Sequence, residues 1–359
     1  MTFDFIPLSS YTPLYHHIIL LVTLFAFIEL QLRGYTKNRY ISIGLLIFVI
    51  VYMGFRPING AYFGDMSTYA RQFEWYRMGG AILKNEDILF RLFMQFCSKI
   101  MDVNTFFLVC AILYVVPLYV VSKKWFNSLW FYAFLLLVGS FSFWSYGTNG
   151  IRNGIASSFF LLAMSRDKLM YRVLWLVLSV SFHKSMLLPT IGYVATWFYN
   201  VPKGYFYFWL ATIPLSLLLP GFWENLLTSM VDDDRAAAYL IEEDIHDNQF
   251  IYVGFRWDFL LYSAIGVFAG WYYLFKKRLK DINYQRLFNT FLFANAIWIL
   301  VIRANFSNRF AYLSWFMLAL VVVYPWLKTR FENSQATRFA YILLGYYLFA
   351  YIMNVFVYG

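Results

Sequence analysis

Arginine side chains stand beside long apolar stretches at separate places in this sequence. They are Arg56, Arg152, Arg256, Arg303 and Arg309. The guanidinium group is planar, keeps its charge and can bind two phosphate oxygens at once. A single arginine beside an apolar stretch usually only extends its charged end to water. A set of them suits a pyrophosphate whose lipid tail stays in a membrane, which is the chemistry we predict for them.

A histidine and a lysine lie together in Ser-Phe-His-Lys-Ser, between two apolar stretches. The imidazole of His183 could abstract a proton near neutral pH, or it could hydrogen-bond the adjoining helix end. Lys184 could be a second phosphate contact or an anchor at the membrane interface. Both roles remain open for each residue from the sequence alone.

Acidic side chains are concentrated around His246. They are Asp232, Asp233, Asp234, Glu242, Glu243, Asp244 and Asp247. Carboxylates in such numbers can bind a divalent cation, but no spacing here resembles a known ligand pattern. We therefore expect a solvated loop, or a lid that meets a hydrated acceptor such as a sugar. Cys97 and Cys110 lie in apolar runs, so neither a disulfide framework nor a cysteine metal site is predicted.

The composition excludes a water-soluble globule. Of 359 residues, 61% are hydrophobic and only 13% are charged, with a mean hydropathy of +0.58. An average soluble domain has about 25% charged residues. A bundle that faces lipid needs little polar surface. The sequence therefore predicts an all-α polytopic membrane protein, with residues 1–359 forming a single transmembrane domain.

About twelve stretches are long and apolar enough to be membrane-spanning helices. They are Leu14–Leu32, Tyr40–Phe55, Val103–Ser122, Asn127–Ser145, Gly150–Met164, Leu169–Phe182, Ser185–Tyr199, Tyr205–Pro220, Phe255–Phe275, Leu287–Ile302, Phe310–Leu327 and Phe339–Val357.

Lysine and arginine collect in every second loop after the first predicted span. Cytoplasmic loops carry such residues, so we place these loops in the cytoplasm and both termini outside. The outer face then has two long loops, residues 56–102 and 221–254. The net charge of +10 reflects this topology, and no nucleic-acid partner is predicted.

One apolar piece, Ile88 to Met101, must not cross the membrane if this topology holds. Its polar residues Arg91, Gln95, Ser98 and Lys99 recur at helical spacing opposite apolar ones. That pattern predicts an amphipathic helix lying flat on the outer surface with one wet face. A short buried span is the alternative.

Four short motifs follow one another on the predicted outer face. They are Arg56 with Gly64-Asp65 and Tyr69, Gly150-Ile151-Arg152 leading into Ile155-Ala156, His183-Lys184-Ser185, and Asn308-Arg309-Phe310-Ala311-Tyr312. In this order they resemble the EpsG-like branch of Wzy-type polysaccharide polymerases, over about residues 40 to 312. Asp65 stands farther from Arg56 than that pattern has it, because of the stretch 57–62.

The resemblance implies a GT-C-like fold, shared with multispan glycosyltransferases that use lipid-linked donors. It implies an enzyme at the outer face of the bacterial inner membrane that polymerises repeat units of O-antigen, capsule or exopolysaccharide. A growing glycan would move from undecaprenyl pyrophosphate to a lipid-linked repeat unit. No metal or other cofactor is expected. A flippase and a chain-length regulator are candidate partners beside the lipid bilayer.

Roles for individual residues follow from this reaction. The leaving pyrophosphate needs fixed positive charge, for which Arg152, Arg303 and Arg309 are the first choices, with Arg56, Arg256 and Lys184 next. The acceptor hydroxyl needs a base, which Asp65 or His183 could provide, with a slight preference for Asp65. Sugar faces could stack on aromatic rings near the outer loops, namely Trp144, Tyr146, Trp257 and Tyr312.

Two other functions remain open. A flippase or other transporter for lipid-linked oligosaccharides also has about twelve spans, although it usually carries charge near the bilayer midplane. An O-antigen ligase or related glycosyltransferase would share the chemistry and differ only in its acceptor.

Overall fold

The computed structural model describes residues 2–82, 87–219, 221–230, 254–304 and 307–357, and these residues form helices without any strand. The α-helices, numbered in chain order, are α1 Leu8–Arg33, α2 Arg39–Gly54, α3 Gly60–Phe63, α4 Met66–Arg77, α5 Ile88–Ser98, α6 Val103–Phe126, α7 Trp130–Val138, α8 Phe143–Thr148, α9 Ile151–Met164, α10 Leu169–Phe182, α11 Leu187–Phe198, α12 Pro202–Leu218, α13 Phe222–Met230, α14 Trp257–Trp271, α15 Ile282–Leu300, α16 Ser307–Lys328 and α17 Gln335–Ile352. Short 3-10 helices cover Asn127–Leu129 and Lys184–Met186, and π-helical turns cover Tyr272–Lys276 and Met353–Val357.

Several helices have the length and hydropathy of membrane spans. Within the described ranges, five segments qualify: Leu8–Arg33, Val103–Val138, Trp257–Lys276, Ser307–Lys328 and Gln335–Val357. Shorter apolar helices include α2, α5, α9 and α10. The chain therefore has the make-up of a polytopic helical membrane protein. The count of about twelve spans and the GT-C-like arrangement stay predictions.

The chain divides into two compact units. The first comprises residues 1–187 and 326–359, and the second comprises residues 188–325. That residues 1–359 form a single transmembrane domain stays a prediction.

Aromatic side chains form part of the core of the first unit. Tyr11 and Tyr52 stack with ring centroids 4.4 Å apart, and each hydroxyl donates to the backbone carbonyl of the other residue at 2.7 and 2.8 Å. Tyr15 stacks on Trp144 at 4.3 Å. Because both hydroxyls of the Tyr11–Tyr52 pair are satisfied, these large rings are buried without unpaired polar groups there. The contacts connect α1, α2 and α8.

A polar network lies inside the second unit. The Asn295 amide donates to Ser263 Oγ at 3.0 Å and to Ser314 Oγ at 2.9 Å, and it accepts from Trp209 Nε1 at 2.7 Å. Trp315 Nε1 also donates to Ser263, at 2.8 Å. These bonds join α12, α14, α15 and α16 in one fixed register, since a displaced helix would leave buried polar atoms without partners.

The predicted surface helix differs from its sequence-based description. α5 has 11 residues, or roughly 16 Å, which is about half the hydrocarbon thickness of a bilayer. The predicted wet face is wrong for Arg91 and Ser98, which are buried together with Phe90, whereas Lys99 is exposed. The exposed hydrophobic residues, at four-residue spacing, are Ile88, Leu92, Phe96 and Ile100. This exposed stripe is apolar and suits lipid better than water.

The predicted span Asn127–Ser145 is divided in the structure. α7 ends at Val138, and a turn leads to the short helix α8. Gly139 stands at the break, where an added Cβ atom would lie 2.7 Å from the Tyr347 ring. Ser140 Oγ donates to the carbonyl of Leu137 at 2.8 Å. Serine hydroxyls that bond local backbone in this way compete with helix continuation.

Candidate active site

A buried carboxylate holds together three segments of the first unit. Asp87 Oδ2 accepts from Arg152 Nη1 at 2.5 Å. Its other oxygen, Oδ1, lies 3.3 Å from His183 Nδ1 and accepts from the backbone N–H of Lys184 at 2.9 Å. Arg152 and His183, which the sequence predicted for the site, are therefore brought to one point by a residue that the sequence analysis did not select.

Helix ends position each of these groups. Asp87 precedes α5, yet its side chain does not cap that helix and is directed to its partners instead. Its φ of +50° is in the left-handed region, which is uncommon for a residue other than glycine. Arg152 lies in the first turn of α9, and His183 follows the last residue of α10. Both lie at the ends of their helices that the predicted topology places outside.

A tyrosine provides the second support for Arg152. The Nε of Arg152 donates to the Tyr69 hydroxyl at 3.1 Å, and its guanidinium carbon lies 5.7 Å from the ring centroid. Tyr69 is on α4 and packs edge-on against Phe90 of α5, with centroids 5.7 Å apart. The orientation of the guanidinium is thus fixed from two sides, by Asp87 and by Tyr69.

Asp65 lies beside this group. It precedes α4, its side chain is exposed, and its backbone N–H donates to Asn149 Oδ1 at 2.9 Å. Gly64 makes this contact possible, because its φ is +54° and an added Cβ would lie 2.4 Å from the Asn149 side chain. The charge of Asp65 also contributes to the electrostatics of Tyr69 and Arg152.

The ionisation states at neutral pH follow from the surroundings. Burial raises the pKa of Asp87, but the hydrogen bond and attraction from His183, the charge of Arg152 and the Lys184 N–H lower it more, to about 2. Asp87 is therefore a carboxylate at any physiological pH. Burial raises the pKa of Tyr69, although Arg152 opposes this, so its hydroxyl stays protonated.

Exposure separates the supporting residue from those that can touch a ligand. The Asp87 side chain is 5% exposed, compared with 17% for Arg152 and 26% for His183. Lys184 is exposed, and the bond to Asp87 uses only its main chain. A molecule approaching this group would meet Arg152, His183 and Lys184, with Asp87 behind them.

Arg56 is in a different environment within the same unit. It is 1% exposed and donates to the carbonyls of Met53 at 2.5 Å and Thr148 at 3.2 Å. Its guanidinium carbon also lies 5.9 Å from the Phe63 ring and 5.3 Å from the Phe107 ring. Here Arg56 joins the end of α2 to the end of α8. Its predicted role in pyrophosphate binding stays a prediction.

Two of the predicted sugar-stacking residues are also packed inside the first unit. Trp144 is 5% exposed, stacks on Tyr15, and donates from Nε1 to Thr12 Oγ1 at 3.0 Å. Tyr146 is 3% exposed, and its hydroxyl lies 3.5 Å from Asn153 Nδ2. Contact of either ring with a sugar stays a prediction.

The second unit contains the remaining arginines of the predicted site, Arg256, Arg303 and Arg309. Arg256 makes two bonds to Asp258, from Nε at 2.9 Å and from Nη2 at 2.6 Å, and its guanidinium carbon lies 3.6 Å from the Phe259 ring centroid. Arg303 lies 5.9 Å from the ring of Phe255, the neighbour of Arg256. These contacts bring Arg256 and Arg303 into one area, at the start of α14 and just after α15.

Three further residues of the predicted site belong to the second unit, namely Trp257, Arg309 and Tyr312. Trp257 is 55% exposed, and its ring centroid is 4.4 Å from that of Phe255. Arg309 is exposed in the first turn of α16. Tyr312, also on α16, packs against Trp315 at 5.5 Å. Exposure makes Trp257 and Arg309 accessible to a ligand.

The acidic stretch 232–247, with His246, lies outside the described residues. In the ranges that the structure does describe, no three side chains of histidine, cysteine, aspartate or glutamate are grouped to hold a metal ion.

Sequence reasoning missed Asp87 as a site residue and gave Tyr69 no role. The available signal for Asp87 was its position immediately before the amphipathic segment at Ile88. That signal does not distinguish it from other acidic residues of the first outer loop. The contacts that single it out join residues 65 and 96 positions apart in the sequence.

Apolar helices with an ionic cluster at their ends define a multi-pass membrane protein with a candidate site at one face. The family model of the EpsG family matches residues 40–359. The chain therefore belongs to the EpsG family, which confirms the resemblance found in the motifs. The family is associated with polysaccharide polymerases and indicates a polymerase-like role in exopolysaccharide biosynthesis. Neither the search of curated proteins nor that of solved structures returned a match.

Proposed function

We propose that this chain is a glycosyltransferase that polymerises lipid-linked repeat units at the outer face of the bacterial inner membrane. The donor is a glycan on undecaprenyl pyrophosphate, and the acceptor is a second lipid-linked repeat unit. The product is exopolysaccharide, capsule or O-antigen.

The observation that carries the proposal is the group formed by Asp65, Tyr69, Asp87, Arg152 and His183. It combines a fixed cation with two candidate bases. A pyrophosphate leaving group needs the cation, and an acceptor hydroxyl needs the base. Family membership supports the same reaction.

The proposed transfer needs only a base and a fixed cation, and side chains of this protein can provide both. The acceptor hydroxyl oxygen attacks the anomeric carbon of the donor sugar while its proton passes to a base. The bond from that carbon to the pyrophosphate oxygen breaks, and its electron pair leaves with undecaprenyl pyrophosphate. A fixed guanidinium stabilises the developing negative charge without having to reorganise.

Arg152 is the first candidate for this phosphate contact. Its Nε and Nη1 are used by Tyr69 and Asp87, and within the described residues its Nη2 makes no hydrogen bond. Arg303 and Arg309 are the next candidates. Arg56, Arg256 and Lys184 are further candidates.

Two residues are candidates for the base, Asp65 and His183. Asp65 is exposed and lies beside the cation, and His183 has the orienting carboxylate that general bases use. The rings of Trp257 and Tyr312, together with those of Trp144 and Tyr146, are the candidates for stacking on sugars.

The alternatives differ from this proposal in their products. A flippase for lipid-linked oligosaccharides would move the donor without breaking it. A ligase-type glycosyltransferase would transfer the glycan once, to a different acceptor. A polymerase would work beside a flippase that supplies its substrate and a regulator that limits chain length.

The test is to reconstitute the purified protein in lipid nanodiscs with a repeat unit linked to undecaprenyl pyrophosphate. We expect a ladder of products from the wild-type chain and none from Arg152→Ala. Arg338→Ala is the matched control, because Arg338 is 64% exposed and pairs with Glu332 at 3.0 Å. A single transfer product would indicate a ligase-type enzyme, and movement of intact donor across vesicles would indicate a flippase.

A further inference from the structure

We propose that Asp87 is a positioning residue that orients His183 as the base of the transfer reaction. This inference rests on the proposed function and deepens it, because it chooses between the two candidate bases and adds the residue that directs one of them.

The geometry gives the imidazole one defined orientation. A carboxylate can only accept hydrogen bonds, so Nδ1 of His183 carries the proton toward Asp87 Oδ1, 3.3 Å away. The same oxygen accepts the N–H of Lys184, the residue next to His183. The backbone and side chain of this turn are thereby held by one carboxylate. In the neutral imidazole, Nε2 then has the free electron pair and can accept the proton of a hydroxyl.

Asp87 itself is poorly suited to accept that proton. It lies behind Arg152 and His183 with 5% of its side chain exposed, so a sugar hydroxyl would meet the two outer residues first. Its pKa of about 2 also makes it a very weak base. Its contribution therefore passes through His183 and Arg152, as expected of a positioning residue.

The backbone conformation of Asp87 supports a positioning role for its side chain. A φ of +50° at a residue other than glycine is sparsely populated and persists only where surrounding contacts impose it. Here those contacts are the bonds to Arg152, His183 and Lys184. An Asp at this position that served only to cap α5 would bond to that helix, and it does not.

The rate of transfer at saturating substrate separates a positioning role from a structural one. Asparagine can still accept the Lys184 N–H, but its amide can also donate to His183, so it no longer selects the tautomer with the proton on Nδ1. In Asp87→Asn we expect the rate constant to fall about tenfold or more, with a KM within a few-fold of wild type.

The experiment measures single-turnover transfer at varied substrate concentration for wild type, Asp87→Asn and the control Asp102→Asn. Asp102 caps α6 through the backbone N–H groups of residues 104 and 105 at 2.9 and 3.0 Å, and asparagine caps equally well. We expect the control to match wild type. A rate constant for Asp87→Asn within a few-fold of wild type, or a loss confined to the apparent KM, would overturn the proposal.

A double-mutant cycle separates the two candidate bases. We expect His183→Gln to lower the rate by about a hundredfold or more, and Asp87→Asn to add little in that background. A rate for His183→Gln within a few-fold of wild type, with a large loss in Asp65→Asn, would make Asp65 the base and overturn the proposal.

Two further measurements keep the test independent of folding and of the proposed function. If Asp87→Asn does not insert, Asp87→Glu retains the charge one methylene farther out, and a wild-type rate there would overturn the proposal. Modification of His183 by diethyl pyrocarbonate, followed by mass spectrometry, reports the reactivity of Nε2 without any substrate. The rate of modification should fall in Asp87→Asn, because Nδ1 is no longer held as the protonated nitrogen. An unchanged rate of modification would refute the orientation, whereas absence of wild-type transfer would refute the proposed function alone.

Discussion

Replacement of Arg152 by alanine removes the cation at the centre of the candidate site. The guanidinium leaves two groups behind, the Tyr69 hydroxyl and Asp87 Oδ2. Asp87 keeps its bonds to the Lys184 N–H and to His183 through its other oxygen. The variant should therefore fold, because the buried carboxylate is not left without partners.

The expected magnitudes follow from these contacts. Loss of one partner from a buried polar group costs about 1–3 kcal/mol in the free energy of unfolding. Loss of a charged donor aimed at the leaving pyrophosphate costs about 3–4 kcal/mol of transition-state stabilisation, or roughly a hundredfold to a thousandfold in rate. Activity should thus fall far more than stability. Arg152→Lys should recover only part of the rate, because an ammonium cannot reproduce the planar contacts to Tyr69 and Asp87 together.

The assay is the rate of glycan transfer in nanodiscs, with thermal unfolding of the same preparations measured in parallel. Arg338→Ala controls for the loss of an arginine elsewhere. Wild-type chain-length ladders in Arg152→Ala would refute the assignment of the pyrophosphate contact. Unfolding of Arg152→Ala at room temperature would refute the reasoning on the remaining bonds of Asp87.

Three other predictions concern topology, a tight turn and pH. A cysteine at the exposed position Lys280 should resist an impermeant thiol reagent in intact cells, and since both native cysteines are buried, labelling there would overturn the topology. Gly64→Ala should lower unfolding stability by about 1–3 kcal/mol more than Gly79→Ala, because both have positive φ but only Gly64 adjoins Asn149; equal losses in thermal unfolding would contradict this. The pKa of Asp87 is lowered from 3.8 to about 2 in the folded protein, so its ionisation should add about 2 kcal/mol to the free energy of unfolding above pH 4. This contribution should be lost as the pH falls through 2. The stability difference between wild type and Asp87→Asn should shrink below pH 4, and a constant difference down to pH 2 would refute it.

The helical and membrane character could be predicted because it depends on local features of the sequence. Apolar stretches and helix caps are read within a few residues: Asp102 and Asp281 precede α6 and α15 and cap their first turns. Each predicted span overlaps one or more helices of the structure. The break at Gly139 was missed, and the contact of Gly139 with Tyr347, more than 200 residues away, is not contained in any local pattern.

The orientation of α5 could not be predicted from periodicity. The pattern separates a polar from an apolar face but does not say which face meets protein, lipid or water. In the structure Phe90 contacts Tyr69, Phe106 and Phe182, and the adjacent Arg91 is buried as well. In a membrane the exposed face can be the apolar one, so the usual rule for soluble helices reverses.

The candidate site was predicted in part. Arg152, His183 and Asp65 were selected by residue type and by their place at helix ends, and the structure places these three in one group. Asp87 joins them through contacts that no local pattern contains. Arg56 had the same local signature as Arg152, yet it is buried against two backbone carbonyls. Sequence alone does not separate an arginine that is partly exposed from one that is buried against two backbone carbonyls.

The most direct measurement of the central claim is the stoichiometry of lipid release. Donor carrying labelled phosphorus in its pyrophosphate and a second label in its sugar is incubated with the reconstituted protein and an unlabelled acceptor. The proposed reaction predicts one undecaprenyl pyrophosphate released for each glycosidic bond formed, with neither event in Arg152→Ala. Glycan growth without release of the lipid, or transport of donor with both labels still joined, would contradict it.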